Sequence, residues 1–232
     1  LHKEYRRQRQ MCIRDRCRKS FGKNLARECP SDADIVVPVP DSGVPAALGY
    51  SEESKIPFEL SIIRNHYVGR TFILPTQSNR QSSVKLKHNP DRSSIKGKSV
   101  VLVDDSIVRG TTSVKIVELM REAGASEIHM RIACPPIKYP DFYGIDTPET
   151  EQLLASNKNL EEMCKYIGAD TLGFLSLDGL YQSMGCSEGR NNDNPEYTDH
   201  CFTGDYPTNL NDYKSEKIQE QLSLLSENES QN

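Results

Sequence analysis

The sequence has no tryptophan, no Cys-x-x-Cys pair among its seven cysteines, and no apolar run approaching a membrane-spanning length. Each absence narrows the field. Without paired cysteines at ligand spacing, a zinc ribbon or a thioredoxin-type redox site is disfavoured. An odd number of cysteines with no framework spacing fits a reducing cytosol better than a disulfide scaffold, so a cytoplasmic location is expected. No charged segment followed by a short apolar core marks a secretory signal, and no membrane partner is expected. An excess of basic residues is also lacking: the net charge of −4 gives no support for a general nucleic-acid or membrane-surface binder. What remains is a globular composition, 27% charged and 36% hydrophobic, and 232 residues are enough for one or two domains.

One absence is local. From Arg64 to Pro90 there is no acidic residue, whereas Arg64, Arg70, Arg80, Lys85 and Lys87 all fall there. Read alone, such a stretch is a solvated basic face.

Apolar runs alternate with helical patterns along the chain, which predicts an α/β fold with a mostly parallel central sheet flanked by helices. Strands are expected over 35–39, 58–63, 99–103, 128–133 and 171–177. Helices are expected over 21–28, 44–50, 111–123 (closed by Gly124) and 157–166 (closed by Gly168). Residues 1–17, crowded with Arg, Gln and Lys and lacking an initiator Met, read as a disordered arm or an artefact of a broken reading frame. The ordered domain is expected over 18–185. Residues 186–232 form a polar extension, in which Ile218, Leu222 and Leu225 could make one short amphipathic helix.

The most informative stretch is Val100 to Ser113. A buried strand ends in Asp104 and Asp105, and a turn of Gly and hydroxyl residues opens directly into a helix. Backbone N–H groups converging at a helix N-terminus suit a phosphate dianion, and Gly110 permits close approach. Thr111, Thr112 and Ser113 add hydroxyl donors. The two carboxylates can accept hydrogen bonds from ribose hydroxyls and help to hold Mg²⁺. Pro38-Val-Pro-Asp-Ser-Gly43 presents a second stiff turn, which by itself reads as a plain β-turn as readily as an anion loop.

Val101 to Thr112 resembles the phosphoribosylpyrophosphate (PRPP) loop of type I phosphoribosyltransferases, in the form found in glutamine PRPP amidotransferases. Val37–Gly43, Asn65–Ile73 and Phe142–Pro148 are similar to segments of the same family, so the resemblance runs from about Arg18 to Pro207. It implies a type I phosphoribosyltransferase fold that binds PRPP through Asp41, Ser42, Gly43, Asp104, Asp105, Ser106, Arg109, Gly110, Thr111, Thr112 and Ser113. Ser42, Asp104 and Asp105 would hold Mg²⁺. The acid-free segment becomes a lid over bound PRPP, with Arg70 and Lys85 as the catalytic contacts to pyrophosphate; His66 and His88 would be surface or phosphate contacts.

The implied reaction joins ammonia to PRPP, giving 5-phosphoribosylamine and pyrophosphate, the first step of de novo purine (IMP) synthesis. Full-length members carry an N-terminal glutaminase domain whose nucleophile is a terminal Cys. This sequence has no room for it, so a fragment using free ammonia and not glutamine is expected. Purine nucleotides are the implied feedback inhibitors and a homo-oligomer the implied assembly. Some members bind a [4Fe–4S] cluster through cysteines. Cys201 matches one ligand, but Thr198 and Asp141 occupy two others, so no cluster is expected. The alternatives are another type I phosphoribosyltransferase, such as a base-salvage enzyme, and a non-catalytic regulator that senses PRPP.

Overall fold

The structure, a computed structural model, describes residues 2–64, 88–145 and 147–210, with residues 2–13 described by backbone alone. Helix α1 runs from His2 to Glu28 without a break. The expected start near Phe21 is therefore too late, and residues 2–17, read from sequence as a disordered arm or an artefact, have helical backbone. Its Arg, Lys, Gln and Met residues are good helix formers, and no Gly or Pro interrupts them before Gly22. They also lack an apolar face, which is why periodicity missed them.

Strand β1 (Ile35–Pro38) leads through a turn into α2 (Val44–Ser54). Two short strands, β2 (Ile62–Arg64) and β3 (His88–Pro90), pair antiparallel. A one-turn helix α3 (Arg92–Ile95) precedes β4 (Ser99–Asp104), α4 (Thr111–Glu122) and β5 (Glu127–Ile132). After a long connection come α5 (Leu154–Asn157), α6 (Leu160–Ile167), β6 (Thr171–Phe174), α7 (Leu177–Ser183) and α8 (His200–Thr203).

The main sheet has four strands in the order β1-β4-β5-β6, all parallel. Because side chains alternate along a strand, each face has its own core. On one face Val37, Leu102 and Met130 pack with Ile116 and Met120 of α4 and Ile167 of α6. On the other, Val36, Val101 and Val103 pack with Leu25 of α1 and Ala47 and Tyr50 of α2. Helices on both faces of a parallel sheet are the expected α/β architecture. Helix α4 fits by pattern: Ser113, Ile116, Val117 and Met120 are its buried stripe.

The apolar run 58–63 is not a strand of the main sheet, and only its last two residues enter β2 of the small one. Phe58 makes a single parallel bridge to Val36 and the chain then turns away, leaving Leu60 59% exposed. Strand β6 also stops short of Leu177, because the Ser176 side chain accepts the Gly179 N–H at 2.9 Å and so caps α7.

The polar extension is tied down over 186–210. Arg190, its side chain 7% exposed, donates to Asp199 at 2.6 Å and to Asp205 at 2.7 Å, and the Tyr181 hydroxyl donates to Asp199 at 2.7 Å. The amphipathic helix expected around Ile218 lies outside the described residues.

Candidate active site

Strand β4 has a neighbour on each side, β1 and β5, and its carboxyl end is where ligands sit in open α/β sheets. Asp104 closes it. This carboxylate is 6% exposed and accepts the Asp105 backbone N–H at 2.8 Å. Burial, reinforced by the adjacent negative charge of Asp105, pushes its pKa up to about 8. Asp105 is half-buried and accepts the Ser106 hydroxyl at 3.1 Å.

The loop that follows is pinned from below. Ile107 is buried, the Leu154 N–H donates to the Val108 carbonyl at 2.9 Å, and Arg109 Nε donates to the Gln152 side chain at 3.0 Å. Gly110 then takes φ 76°, and a Cβ there would lie 2.7 Å from Leu154 Cδ2 and 3.1 Å from Tyr166 Cε1. Both the backbone angle and the packing exclude a larger residue. Gly110 is also the N-cap of α4 and offers no side-chain oxygen, and the first turn carries no acid. The N–H groups at Thr111–Ser113 and the Thr hydroxyls are thus arranged for an external anion.

The second turn extends β1. The Val39 N–H donates to the Val103 carbonyl at 2.8 Å, and the Gly43 N–H to the Val39 carbonyl at 3.0 Å. The Pro40–Asp41 peptide is cis. A Cβ on Gly43 would lie 2.5 Å from the Val103 oxygen, so only glycine lets this turn press against β4.

A cleft of about 400 Å³ lies between the two turns. Ser42, Asp104, Asp105, Ser106, Arg109, Gly110, Thr111, Thr112 and Ser113 line it together, with Arg64, His88 and Pro148. Two expected residues differ in placement. Gly43 lies beneath the cleft as a spacer. Asp41 points out of it: its side chain is 58% exposed and forms an ion pair with Arg64. Arg70 and Lys85 lie outside the described residues, as does His66. The supporting layer of Gln152, Leu154 and Tyr166 was missed, since nothing in spacing or composition ties it to a loop more than forty positions earlier.

Ser42, Asp104 and Asp105 supply hard oxygen donors to one cleft. Among the described residues this buried carboxylate, its pKa raised to about 8, has no ion-pair partner, and an oxygen-seeking divalent cation would supply the countercharge. The donor set therefore fits Mg²⁺.

Residues 14–140 match the phosphoribosyl transferase domain family. The chain belongs to that family. Across 212 residues this phosphoribosyltransferase domain is 62% identical to the amidophosphoribosyltransferase of Rhizobium etli, covering 91% of this chain and 42% of that protein. Against the amidophosphoribosyltransferase of Methanothermobacter thermautotrophicus, identity is 52% over 195 residues, 84% of this chain and 40% of that one. Among solved structures, the glutamine PRPP amidotransferase from B. subtilis complexed with ADP and GMP superposes with a TM-score of 0.72 at 50% identity, covering 84% of this chain and 43% of that chain. The chain thus spans about two fifths of the length of these relatives. The type I phosphoribosyltransferase fold expected from the loop is the fold observed.

Asp141, which departs from the cluster-binding pattern, lies beside Cys201, which matches it. Asp141 Oδ2 accepts from His200 Nε2 at 2.7 Å, and Cys201 Sγ is 4.0 Å from the same oxygen. Burial would raise the Asp141 pKa, but the N–H groups of Ile145 and Tyr143, with His200, hold it below the ordinary value. The Cys201 thiol is pushed up to about 11 by burial and by the Asp141 charge. An iron–sulfur cluster is held by thiolates, and one thiol, one carboxylate and one imidazole do not make that site.

Proposed function

We propose that this chain carries the phosphoribosyl-transfer step of an amidophosphoribosyltransferase, converting PRPP and ammonia to 5-phosphoribosylamine and pyrophosphate. The observation that carries the reading is the shared cleft: an uncapped helix start, two carboxylates and a glycine-tightened turn line one volume suited to a sugar with a phosphate at one end and a pyrophosphate at the other. The identity with two amidophosphoribosyltransferases supports the choice of nucleophile.

In this reading the N–H groups at Thr111–Ser113 take the 5-phosphate, and Asp104 and Asp105 orient the ribose hydroxyls. The Ser42 turn receives the pyrophosphate, and Arg70 and Lys85 cover it. Mg²⁺, held by Ser42, Asp104 and Asp105, supplies charge neutralisation for the leaving group when bound. The ammonia lone pair forms the N–C1 bond as the C1–O bond to pyrophosphate breaks, with inversion at C1. The surplus proton on nitrogen passes to solvent or to the departing pyrophosphate. Ammonia brings its own lone pair, so positioning and charge stabilisation do the catalysis, without an activated nucleophile on the protein.

The same cleft would take the phosphate of an inhibitory purine nucleotide; the B. subtilis relative was complexed with ADP and GMP. A glutaminase domain would deliver the ammonia in the complete enzyme, a cytoplasmic homo-oligomer. The decisive test is pyrophosphate release from Mg²⁺–PRPP by the 232-residue chain. Release is expected with ammonium and not with glutamine. No release with ammonium would overturn the proposed step, and equal turnover with glutamine would overturn the division of labour.

A further inference from the structure

Away from the cleft, one group of ligand-type side chains stands out among the described residues: Asp141, His200 and Cys201, whose donor atoms all lie within 4.8 Å of one another. We propose that these three residues bind a single divalent cation of the zinc class, joining the turn at Asp141 to helix α8 in the extension.

The spacing is close to a tetrahedral shell. With metal–N and metal–O bonds of about 2.0 Å and a metal–S bond of about 2.3 Å, neighbouring donors sit roughly 3.3–3.6 Å apart. The oxygen–nitrogen separation of 2.7 Å must open, and the oxygen–sulfur separation of 4.0 Å must close, by less than an ångström each. The chemistry selects the ion. Mg²⁺ and Ca²⁺ favour all-oxygen cages. One thiolate, one imidazole and one carboxylate suit Zn²⁺, with water in the fourth position. The carboxylate and thiolate together cancel the ion's charge, which matters where the Asp141 and His200 side chains are 4% and 6% exposed.

Two further observations support a built site. Asp141 Oδ1 accepts the N–H groups of Tyr143 and Ile145 at 2.8 Å each, which fixes the carboxylate and turns Oδ2 toward His200 and Cys201. Outer partners of this kind orient metal ligands. His200 is held between the rings of Tyr143 and Tyr206, and its Nε2 faces Asp141 Oδ2. On binding, the Cys201 thiol proton and the hydrogen bond between His200 and Asp141 give way to metal–ligand bonds, and the protons leave to solvent.

The test reads metal and not turnover, so it stands whether or not the transferase reading holds. The 232-residue chain is stripped with chelator and titrated with Co²⁺ alone, then with Zn²⁺. About one Co²⁺ per chain should bind, with tetrahedral visible bands and a thiolate-to-cobalt charge-transfer band in the near ultraviolet; Zn²⁺ should bleach both. Cys201→Ser should lose the charge-transfer band, and His200→Ala should lose stoichiometric binding. Absence of the charge-transfer band in the wild-type chain would overturn the proposal, a reading that needs no variant to fold. Its persistence in Cys201→Ser, or the broad visible absorbance of an iron–sulfur cluster in the purified protein, would overturn it equally.

Discussion

Asp104 and Asp141 are both carboxylates with almost no solvent contact, and they have opposite fates. Burial acts on each in the same direction, toward the neutral acid. At Asp141 the protein answers with two backbone N–H groups and an imidazole, and the pKa ends below the ordinary value. At Asp104 it answers with one N–H and adds a second carboxylate alongside, and the pKa is pushed up to about 8. The first arrangement stabilises the chain as it stands. The second leaves the buried charge uncompensated, the kind of environment that favours binding of a counter-ion. How well a buried charge is met, rather than how deeply it lies, separates a structural position from one suited to the reacting ligand.

The comparison breaks most visibly in activity. Asp104→Asn with Asp105→Asn should cut ammonia-dependent pyrophosphate release by roughly a thousandfold or more while circular dichroism is unchanged. Turnover within tenfold of wild type would remove Asp104 from the chemistry. Gly110→Ala comes next. Its φ of 76° and the clash with Leu154 and Tyr166 should shift the helix start and lower kcat/KM for PRPP by about a hundredfold. Steady-state kinetics that match wild type would mean the loop tolerates the shift.

Asp141→Ala, on the other side, leaves two N–H groups and His200 unpaired. Urea melts should show about 2–3 kcal/mol of lost stability, with kcat/KM changed less than about twofold. A larger kinetic effect would show that the two regions are coupled.

The smallest effect is in pH. A carboxyl whose folded pKa is raised from 3.8 to about 8 favours folding most when protonated, so its contribution declines as pH rises across that window. In chelator, Asp104→Asn should therefore be more stable than wild type by about 1–2 kcal/mol at pH 8, with the gap shrinking toward pH 5. Asp141, with a lowered pKa, contributes above the ordinary carboxyl value and loses that contribution as pH falls through its own lowered one. A constant gap between Asp104→Asn and wild type from pH 5 to 8 would contradict the raised pKa.

Much of this was legible in local signals. The Val-rich run ending at Asp104, the glycine stops at Gly124 and Gly168, and the alternation of strands and helices all carry short-range physics, and they predicted the parallel sheet and the turn at Gly110 that opens into α4. The losses were long-range. Asp41 belongs to a turn that reads as ligand-binding, but its side chain is claimed by Arg64. The run at 58–63 is apolar enough for a strand, yet only Phe58 finds a partner in β1. The polar composition after Gly185 predicted a polar extension without its fixed contacts, because the value of Arg190 lies in meeting Asp199 and Asp205 in space.

Strand β4 is shielded on both edges and both faces, and Val100 to Val103 have no exposed surface. Amides so placed exchange with solvent only when the whole domain opens, whereas loops and chain ends exchange through local fraying. The loop at 105–110, the proposed phosphate site, is the direct continuation of that slowest-exchanging segment. Heat or denaturant should consequently erase ligand binding and the fold in one transition, without an earlier inactive state in which the sheet survives its site.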